Sequence, residues 1–378
     1  MKKILFVSNI SKRINTFSAA AITAAHSTDL SFHYAANWSQ APEGQIAADE
    51  QAYNIHINNV AINRSPFSRS NIKAYRQIVE LIKREKIDYI HCNTPVGGLL
   101  GRLAGKKCKV EKVIYQVHGF HFYKGAPRKH WLLYYPIEKW LARKTDAIVT
   151  INTEDYAAAQ KLKLKKGGKV YFVHGVGIDS AAFASEHISN GAVRRELGIA
   201  ESDLMLISAG ELNQNKNNKV ILTAMAKTAA KNIHYVLCGV GPLREELEAL
   251  AKNLGIANRV HFLGYRTDIP VLYSEADAFV MPSYREGLSR SMMEAMASGL
   301  PCLASRIRGN VDLIEDGKGG YLCPATDDAA FADALTKLAS NSELRAEMRA
   351  YNLEKIKEYD ISVVEKEIEA IYQEVLNK

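Results

Sequence analysis

Residues 282–301 read PSYREGLSRSMMEAMASGLP, and the meaning of that stretch decides the fold around it. An apolar run, AFVM at 278–281, leads into it. A glycine-containing turn follows, and then SMMEAMAS, rich in the good helix formers Met and Ala. Gly299 followed by Pro301 stops the helix in the expected order. A buried strand that turns straight into a helix is half of a parallel strand–helix–strand unit. The stretch also carries two carboxylates eight residues apart, Glu286 in the turn and Glu294 within the helix. Eight residues of helix span about 12 Å, close to the separation of ribose and sugar in a nucleotide sugar. The helix N-terminus between them offers free N–H groups and a positive dipole end, which suit a diphosphate. A second reading stays open: Ser291-Met292-Met293-Glu294 fits a capping box, in which Glu294 only closes the helix.

The same alternation extends along the chain. In the first half KILFVSN, DYIHCNT, VIYQVHG, AIVTIN and VYFVHGVG read as strands. Between them NIKAYRQIVELIKREK repeats Ile72, Tyr75, Val79 and Ile82 at helical spacing. In the second half LMLISAGEL, HYVLCGVG, VHFLG, AFVMPS and PCLAS are strands with helices between. Strand–helix alternation of this kind implies parallel sheets covered on both faces. At 378 residues the chain is too long for one ordinary core. Two domains are therefore expected, 1–180 and 190–360, joined by a Gly/Ser/Ala-rich linker around 178–192. The expected class is α/β, with two doubly wound Rossmann-like domains facing a central cleft. Ligands in such folds bind at the carboxyl ends of the strands.

Composition narrows the function classes. Hydrophobic residues make up 47% and charged residues 24%, as in a soluble globular protein. The opening MKKILFVSN has too short an apolar run for a signal peptide, and no apolar run approaches the roughly 18 residues of a membrane span. The five cysteines form no short-spaced pair, which argues against disulfides and a thiolate metal site and for a cytoplasmic location. Charge is uneven. Residues 1–180 hold 27 Lys and Arg against 13 Asp and Glu, or +14; the remaining 22 against 28 give −6, and the two sum to the +8 of the chain. A basic first half suits an anionic partner such as a phosphorylated lipid or a membrane surface, or else reflects solvated lysines. Nucleic acid is the weakest such partner, because no recognisable module or aromatic platform accompanies the charge.

Several motifs could mislead. GVGPLR at 239–244 imitates a dinucleotide fingerprint, but the third glycine is Arg244 and Pro242 stands where the helix should begin. It reads as a strand-to-helix turn and not as an NAD site. No Asp-x-Asp, metal-ligand spacing, nucleophile elbow or Walker loop occurs, so neither a metal nor a cofactor is expected. APRKHWLLYYPIEKWLARK at 126–144 mixes aromatic and basic residues. Either it rests on an anionic membrane surface or it buries its aromatics as an ordinary domain helix.

Taken together, SYREGLSRSMMEAMASGLP, the 118–156 segment beginning HGFHFYKGAPRKHW, GVGID (175–179), GELNQNKNN (210–218), GVGPLREEL (239–247), LGYRTDI (263–269) and IRGNVDLI (307–314) resemble the retaining glycosyltransferases of family 4, in the bacterial capsular and exopolysaccharide branch. That family has the GT-B fold. The resemblance covers nearly the whole chain and implies a hexosyltransferase moving a sugar from a nucleoside-diphosphate donor, UDP-linked, to a lipid-diphosphate-linked saccharide. The second domain would bind the donor and the first the acceptor, with the 361–378 helix crossing back onto the first and domain closure completing the site. The enzyme would be metal-independent and peripheral at the inner face of the plasma membrane.

Roles transfer by position. Glu286 would contact the transferred sugar and Glu294 the ribose. The backbone of Gly287, Leu288 and Ser289 would face sugar and diphosphate, although the family usually has proline at 289. Lys216, beside Gly210, matches the lysine that neutralises the diphosphate, but Glu211 stands where an arginine is expected. Arg266 matches the position whose main chain meets the base. His118 matches the histidine on the donor sugar. His121 and Asn15 are the candidates on the acceptor side, and His174 could equally be a core residue. A nucleotide-sugar epimerase of the same fold, or a degenerate transferase serving as a docking protein, are the competing readings. Which sugar moves, the acceptor linkage and the oligomeric state are not legible.

Overall fold

The computed structural model describes residues 1–184 and 190–376. The chain divides into two compact units, Met1–Gly177 together with the segment from Ile361 to the C-terminus, and Ile178–Asp360.

The first unit contains β1 (Lys2–Ile10), β2 (Leu30–Asn37), β3 (His56–Asn59), β4 (Tyr89–Asn93), β5 (Lys112–Val117), β6 (Ala147–Thr150) and β7 (Lys169–Phe172). Its helices are α1 (Thr16–Ser27), α2 (Gln45–Tyr53), α3 (Ser70–Glu85), α4 (Pro95–Cys108), α5 (Arg128–Ala142) and α6 (Thr153–Ala159). The second unit contains β8 (Leu204–Ala209), β9 (Ile233–Cys238), β10 (Val260–Gly264), β11 (Ala278–Met281), β12 (Cys302–Ser305) and β13 (Gly320–Cys323). Its helices are α7 (Ala192–Leu197), α8 (Lys219–Lys227), α9 (Arg244–Asn253), α10 (Ile269–Glu275), α11 (Arg290–Ala297), α12 (Asn310–Leu313), α13 (Asp328–Ser340) and α14 (Ser342–Lys355); α15 (Ile361–Val375) belongs to the first unit.

Strand order is β3-β2-β1-β4-β5-β6-β7 in one sheet and β10-β9-β8-β11-β12-β13 in the other. Every named pairing is parallel. Central strands are buried on both faces, as the apolar runs require: all five residues of β4 and all four of β11 are buried.

In α3 the sequence-derived face is displaced. The buried stripe is Asn71, Ala74, Ile78, Leu81 and Ile82, whereas Ile72 is 58% exposed. Both stripes are spaced at helical period, and the one containing Ala74 and Leu81 packs on the sheet. Nor are residues 178–184 a free linker. Ile178 is buried and its N–H donates to the Tyr359 carbonyl at 3.1 Å, and Ser180 Oγ donates to Asp360 at 2.6 Å. Residues 185–189 of that expected linker lie outside the described residues.

Helix α15 is tied to the first unit by polar contacts as well as packing. Thr23 Oγ1 donates to Glu365 at 2.9 Å, and His174 Nδ1 lies 2.6 Å from Glu367. The latter gives His174 a positioning partner rather than an apolar core setting. Tyr372, fully buried, shares a 2.7 Å hydrogen bond with His91 Nδ1 on β4. Burial, aided by His118, pushes the His91 pKa down to about 3, so its ring is neutral. Deleting the Tyr372 hydroxyl strands a buried imidazole nitrogen, which costs about 1–3 kcal/mol. Tyr372→Phe is expected to lower the stability of the first unit by that amount in a denaturant titration followed by a β4-side fluorescence probe. A loss below ~0.5 kcal/mol would show that the pair is not a structural tie.

Candidate active site

The carboxyl ends of β8, β9, β11 and β12 lie along one edge of the second sheet, because the strands are parallel. After β8, the chain 210–218 does not behave as a solvated loop. Asn213 caps a 3₁₀ turn, its side chain accepting the Lys216 N–H at 3.1 Å. Asn215 Nδ2 donates to the Arg285 carbonyl at 3.0 Å, and the Tyr284 N–H donates to the Asn215 carbonyl at 2.8 Å. Asn217, in left-handed conformation (φ 52°), donates to the carbonyls of Pro282 and Ala325 at 3.0 and 2.7 Å. The asparagines thus pin this loop to the turn after β11. Lys216 Nζ reaches Glu286 Oε1 at 2.8 Å, with both side chains largely shielded. The alternative of an ordinary exposed lysine is set aside by that contact. Gly210 lies close under the lysine: a Cβ there would come within 3.2 Å of Lys216 Cε and push that side chain aside by a few tenths of an ångström.

Helix α11 begins at Arg290, with Ser289 as its N-cap in extended conformation; the Ser289 Oγ accepts the Met292 N–H at 3.4 Å. A proline at 289 would lack this acceptor, which accounts for serine there. Two sequence expectations change. The capping box at Ser291–Glu294 does not form, because Glu294 lies in the fifth helical position and instead accepts from Arg290 Nε at 2.8 Å, an i,i+4 pair. Nor do Glu286 and Glu294 span eight residues of helix, since Glu286 precedes the helix by four residues. The C-terminus closes as expected: Gly299 (φ 77°) donates to the Met296 carbonyl and Leu300 to that of Ala295, both at 2.9 Å, a Schellman motif. Burial pushes the Glu294 carboxyl up from its ordinary value, with Arg290 opposing.

The turn 286–289 is clamped from a third side. Gly309 (φ 81°) crosses so closely that a Cβ would lie 2.2 Å from the Gly287 carbonyl oxygen. Arg308 Nε donates to the Glu286 carbonyl at 3.2 Å. The sequence reading passed over Arg308. Its signal was available, an arginine just past the carboxyl end of a buried strand, PCLAS. Glu211 is held within the 210–218 loop, its carboxylate accepting from Asn213 Nδ2 at 2.9 Å.

The GVG at 239–241 is explained by backbone packing: Cβ atoms at Gly239 and Gly241 would fall 1.9 and 2.4 Å from the carbonyls of Gly210 and Leu212. Arg266 follows β10, two strands from β8, hence roughly 10 Å from it. Its guanidinium grips Asp268 at 2.8 and 2.5 Å, and this holds the arginine pKa up and the carboxyl down.

The structure therefore groups Gly210, Lys216, Glu286, Gly287, Leu288, Ser289 and Glu294 around one turn and one helix, with Arg266 farther along the same edge. His118, His121 and Asn15 belong to the first unit. His118 directly follows β5, and burial pushes its pKa down to about 4, leaving a neutral imidazole. His121 packs its ring on Tyr134, centroids 4.5 Å apart. Asn15 precedes α1, its carbonyl accepting the Ser18 and Ala19 N–H groups at 3.0 Å. Among the described residues no group of three or more His, Cys, Asp or Glu is placed to hold a metal. No described helix is long and apolar enough to cross a membrane.

The chain is similar to known proteins. Residues 190–355 match the family described as glycosyl transferases group 1, and residues 3–152 match glycosyl transferase 4-like. EpsD of Bacillus subtilis (strain 168), whose name places it among glycosyltransferases, is 37% identical over 351 residues, 91% of this chain and 89% of that protein. The UDP-Gal:α-D-GlcNAc-diphosphoundecaprenol α-1,3-galactosyltransferase of Escherichia coli is 28% identical over 280 residues, 72% of each chain. The crystal structure of Anabaena HepE in complex with UDP and glucose superposes with a TM-score of 0.77 at 18% identity, covering 99% of this chain and 100% of that one, which shows the shared fold. On these grounds the chain belongs to the family 4 glycosyltransferases of GT-B fold.

Proposed function

We propose that the protein transfers a hexose, with retention of configuration, from a UDP-sugar to a saccharide carried on a lipid diphosphate. The observation that carries this reading is the 2.8 Å Lys216–Glu286 pair at the mouth of α11, with Glu294 in the helix behind it. A cation, a helix N-terminus, one carboxylate on the turn before the helix and another within it supply what a nucleoside-diphosphate sugar needs. Lys216 and the free N–H groups at the start of α11 take the diphosphate, since Glu211 cannot. Glu294 accepts the ribose hydroxyls and Glu286 a hydroxyl of the transferred sugar, against the backbone of Gly287–Ser289. The main chain at Arg266 meets the base. UDP appears with HepE and in the name of the E. coli relative, and both support that choice of nucleotide.

In the donor-free form Lys216 and Glu286 neutralise each other. Arrival of the donor gives Lys216 a doubly charged oxygen cluster and frees Glu286 for the sugar. As the bond from the anomeric carbon to the diphosphate oxygen breaks, the acceptor hydroxyl bonds to that carbon on the same face and passes its proton to the departing diphosphate oxygen, so no covalent enzyme intermediate is needed. Leaving-group stabilisation by fixed positive groups is then the main catalytic contribution. His118, neutral, has a ring N–H to donate to a sugar hydroxyl without adding charge. The first unit, whose residues 1–177 and 361–378 hold 29 Lys and Arg against 16 Asp and Glu, or +13, takes the anionic acceptor, with His121 and Asn15 on that side. The same excess supports a position at the inner face of the membrane, and the reaction is expected to proceed without a metal.

Incubation with radiolabelled UDP-sugars and extracted bacterial lipid acceptor, in EDTA, should label the lipid with one sugar, its anomeric configuration retained by NMR. Lys216→Ala is expected to lower kcat by about 10²–10³, the scale for losing one preorganised charge-stabilising donor. Donor turnover without acceptor would point to an epimerase instead, and no turnover with a folded protein to a docking role.

The raised Glu294 pKa gives a signed pH dependence. The carboxylate is the binding form, so UDP affinity should fall on acidification, beginning above the range of an ordinary glutamate and levelling off toward neutral pH. In Glu294→Gln that limb should vanish. Calorimetric Kd values of the two proteins between about pH 5 and 8 make the comparison, and the ligand's own titration cancels in their ratio. A ratio that stays constant across this range would remove Glu294 from the ribose site.

A further inference from the structure

The first unit holds a cavity of about 310 Å³ that no proposed role has used. It lies between α4, α5 and the loops that follow β1, β3 and β5, at the carboxyl ends of β1 and β5. Its walls are apolar, built from Phe67, Leu99, Phe120, Phe122, Leu133 and Ile137. The charged residues at its floor are closed on each other. Arg102, 1% exposed, is paired with Glu138, donates through Nε to the Gly98 carbonyl at 2.8 Å, and lies 3.8 Å over the Tyr115 ring. The floor therefore attracts no ion, and the cavity suits hydrocarbon.

At its mouth the apolar surface continues outward. Phe67 and Leu132 are each 79% exposed, with Trp131, Leu133 and Ile137 more than one-third exposed on the same helix. A soluble surface does not ordinarily carry such a cluster without a partner. Around it the loops 8–15, 61–69 and 118–129 carry seven Lys and Arg residues and no Asp or Glu. Three carboxylates from neighbouring elements reach these loops and are taken up by backbone N–H groups: Asp49 accepts that of Ile14 at 2.9 Å, Asp155 that of Phe120 at 3.3 Å and Glu154 that of Lys124 at 2.5 Å. An apolar socket inside a cationic rim is complementary to an amphiphile with a hydrocarbon chain and an anionic head.

We propose that this cavity seats the chain segment next to the diphosphate of a polyprenyl-diphosphate acceptor, with the diphosphate resting on the rim. The proposal rests on the lipid-diphosphate reading of the acceptor and adds where and how the lipid is held. The aromatic, irregular walls favour a branched prenyl chain, and position at the strand ends brings the attached saccharide to the edge where ligands of parallel sheets bind.

The test uses the full chain and tritiated geranylgeranyl diphosphate below its micellar concentration, with inorganic pyrophosphate and hexadecyl phosphate as competitors. Leu99→Trp fills the cavity from inside, and Leu133→Glu sets a carboxylate at its exposed mouth. The UDP-induced rise in melting temperature is followed in parallel as a check on the second unit. Saturable binding that pyrophosphate competes for only weakly, and that each variant weakens at least tenfold while its UDP shift persists, is the expected result. Wild-type affinity in both folded variants, or full displacement by equimolar pyrophosphate, would overturn the site. Equal competition by hexadecyl phosphate would overturn the prenyl assignment. Loss of the UDP shift in wild type would count against the donor reading alone, because prenyl binding is measured without nucleotide.

Discussion

Parallel pairing is the constraint on which the molecule depends. Strands that all run one way deliver every carboxyl end to the same edge, and each must return through a helix on the sheet's face. In the second unit this places the ends of β8, β11 and β12 side by side. The loop carrying Lys216, the turn carrying Glu286 and the segment carrying Arg308 can then touch although they lie 70 and 22 residues apart. The glycines at 210, 239, 241 and 309 serve that same closeness, since a side chain at any of them would meet its neighbour's backbone or Lys216.

Polar side chains do the holding at this edge. Three asparagines, at 213, 215 and 217, convert a sequence that reads as loop into a braced turn, each with a backbone partner. What they brace is an arrangement of charge: one lysine between a glutamate and the start of a helix. The second glutamate is largely shielded within that helix, with the half-exposed Arg290 beside it. Such an arrangement is expensive to bury without a ligand, and the ion pairs keep it neutral in the meantime. The first unit shows the opposite economy. Its Arg102–Glu138 pair is sealed under aromatic rings, and the surface above is apolar with a cationic border.

Much of the fold was legible in the sequence because buried parallel strands announce themselves as apolar runs; β1, β4, β5, β8 and β11 are examples. The strands passed over were β2, whose LSFHYAAN mixes polar and apolar residues, and the short β3 and β13 at sheet edges. In α3 two stripes share the helical period, and only packing chooses between them. The family resemblance was sound, and the residues it names at 210, 216, 286–289 and 294 fall around one turn and one helix of the second unit. Its internal wiring was not. Helix α11 starts one residue after Ser289, which spacing alone cannot fix, and so the capping role fell to Ser289 and Glu294 was left to Arg290. Arg308 acts through a backbone carbonyl; its place just past a buried strand marks it as a candidate, but its residue type does not name that partner.

The central claim is that Lys216 and Glu294 hold the diphosphate and ribose of one nucleotide on the second unit. Isothermal calorimetry of UDP in EDTA with wild type, Lys216→Ala and Glu294→Ala tests it most directly. The account predicts one site in wild type and a loss of at least tenfold in affinity for each variant, about 1.4 kcal/mol or more. Equal affinity across all three folded proteins would contradict it and would place the nucleotide elsewhere.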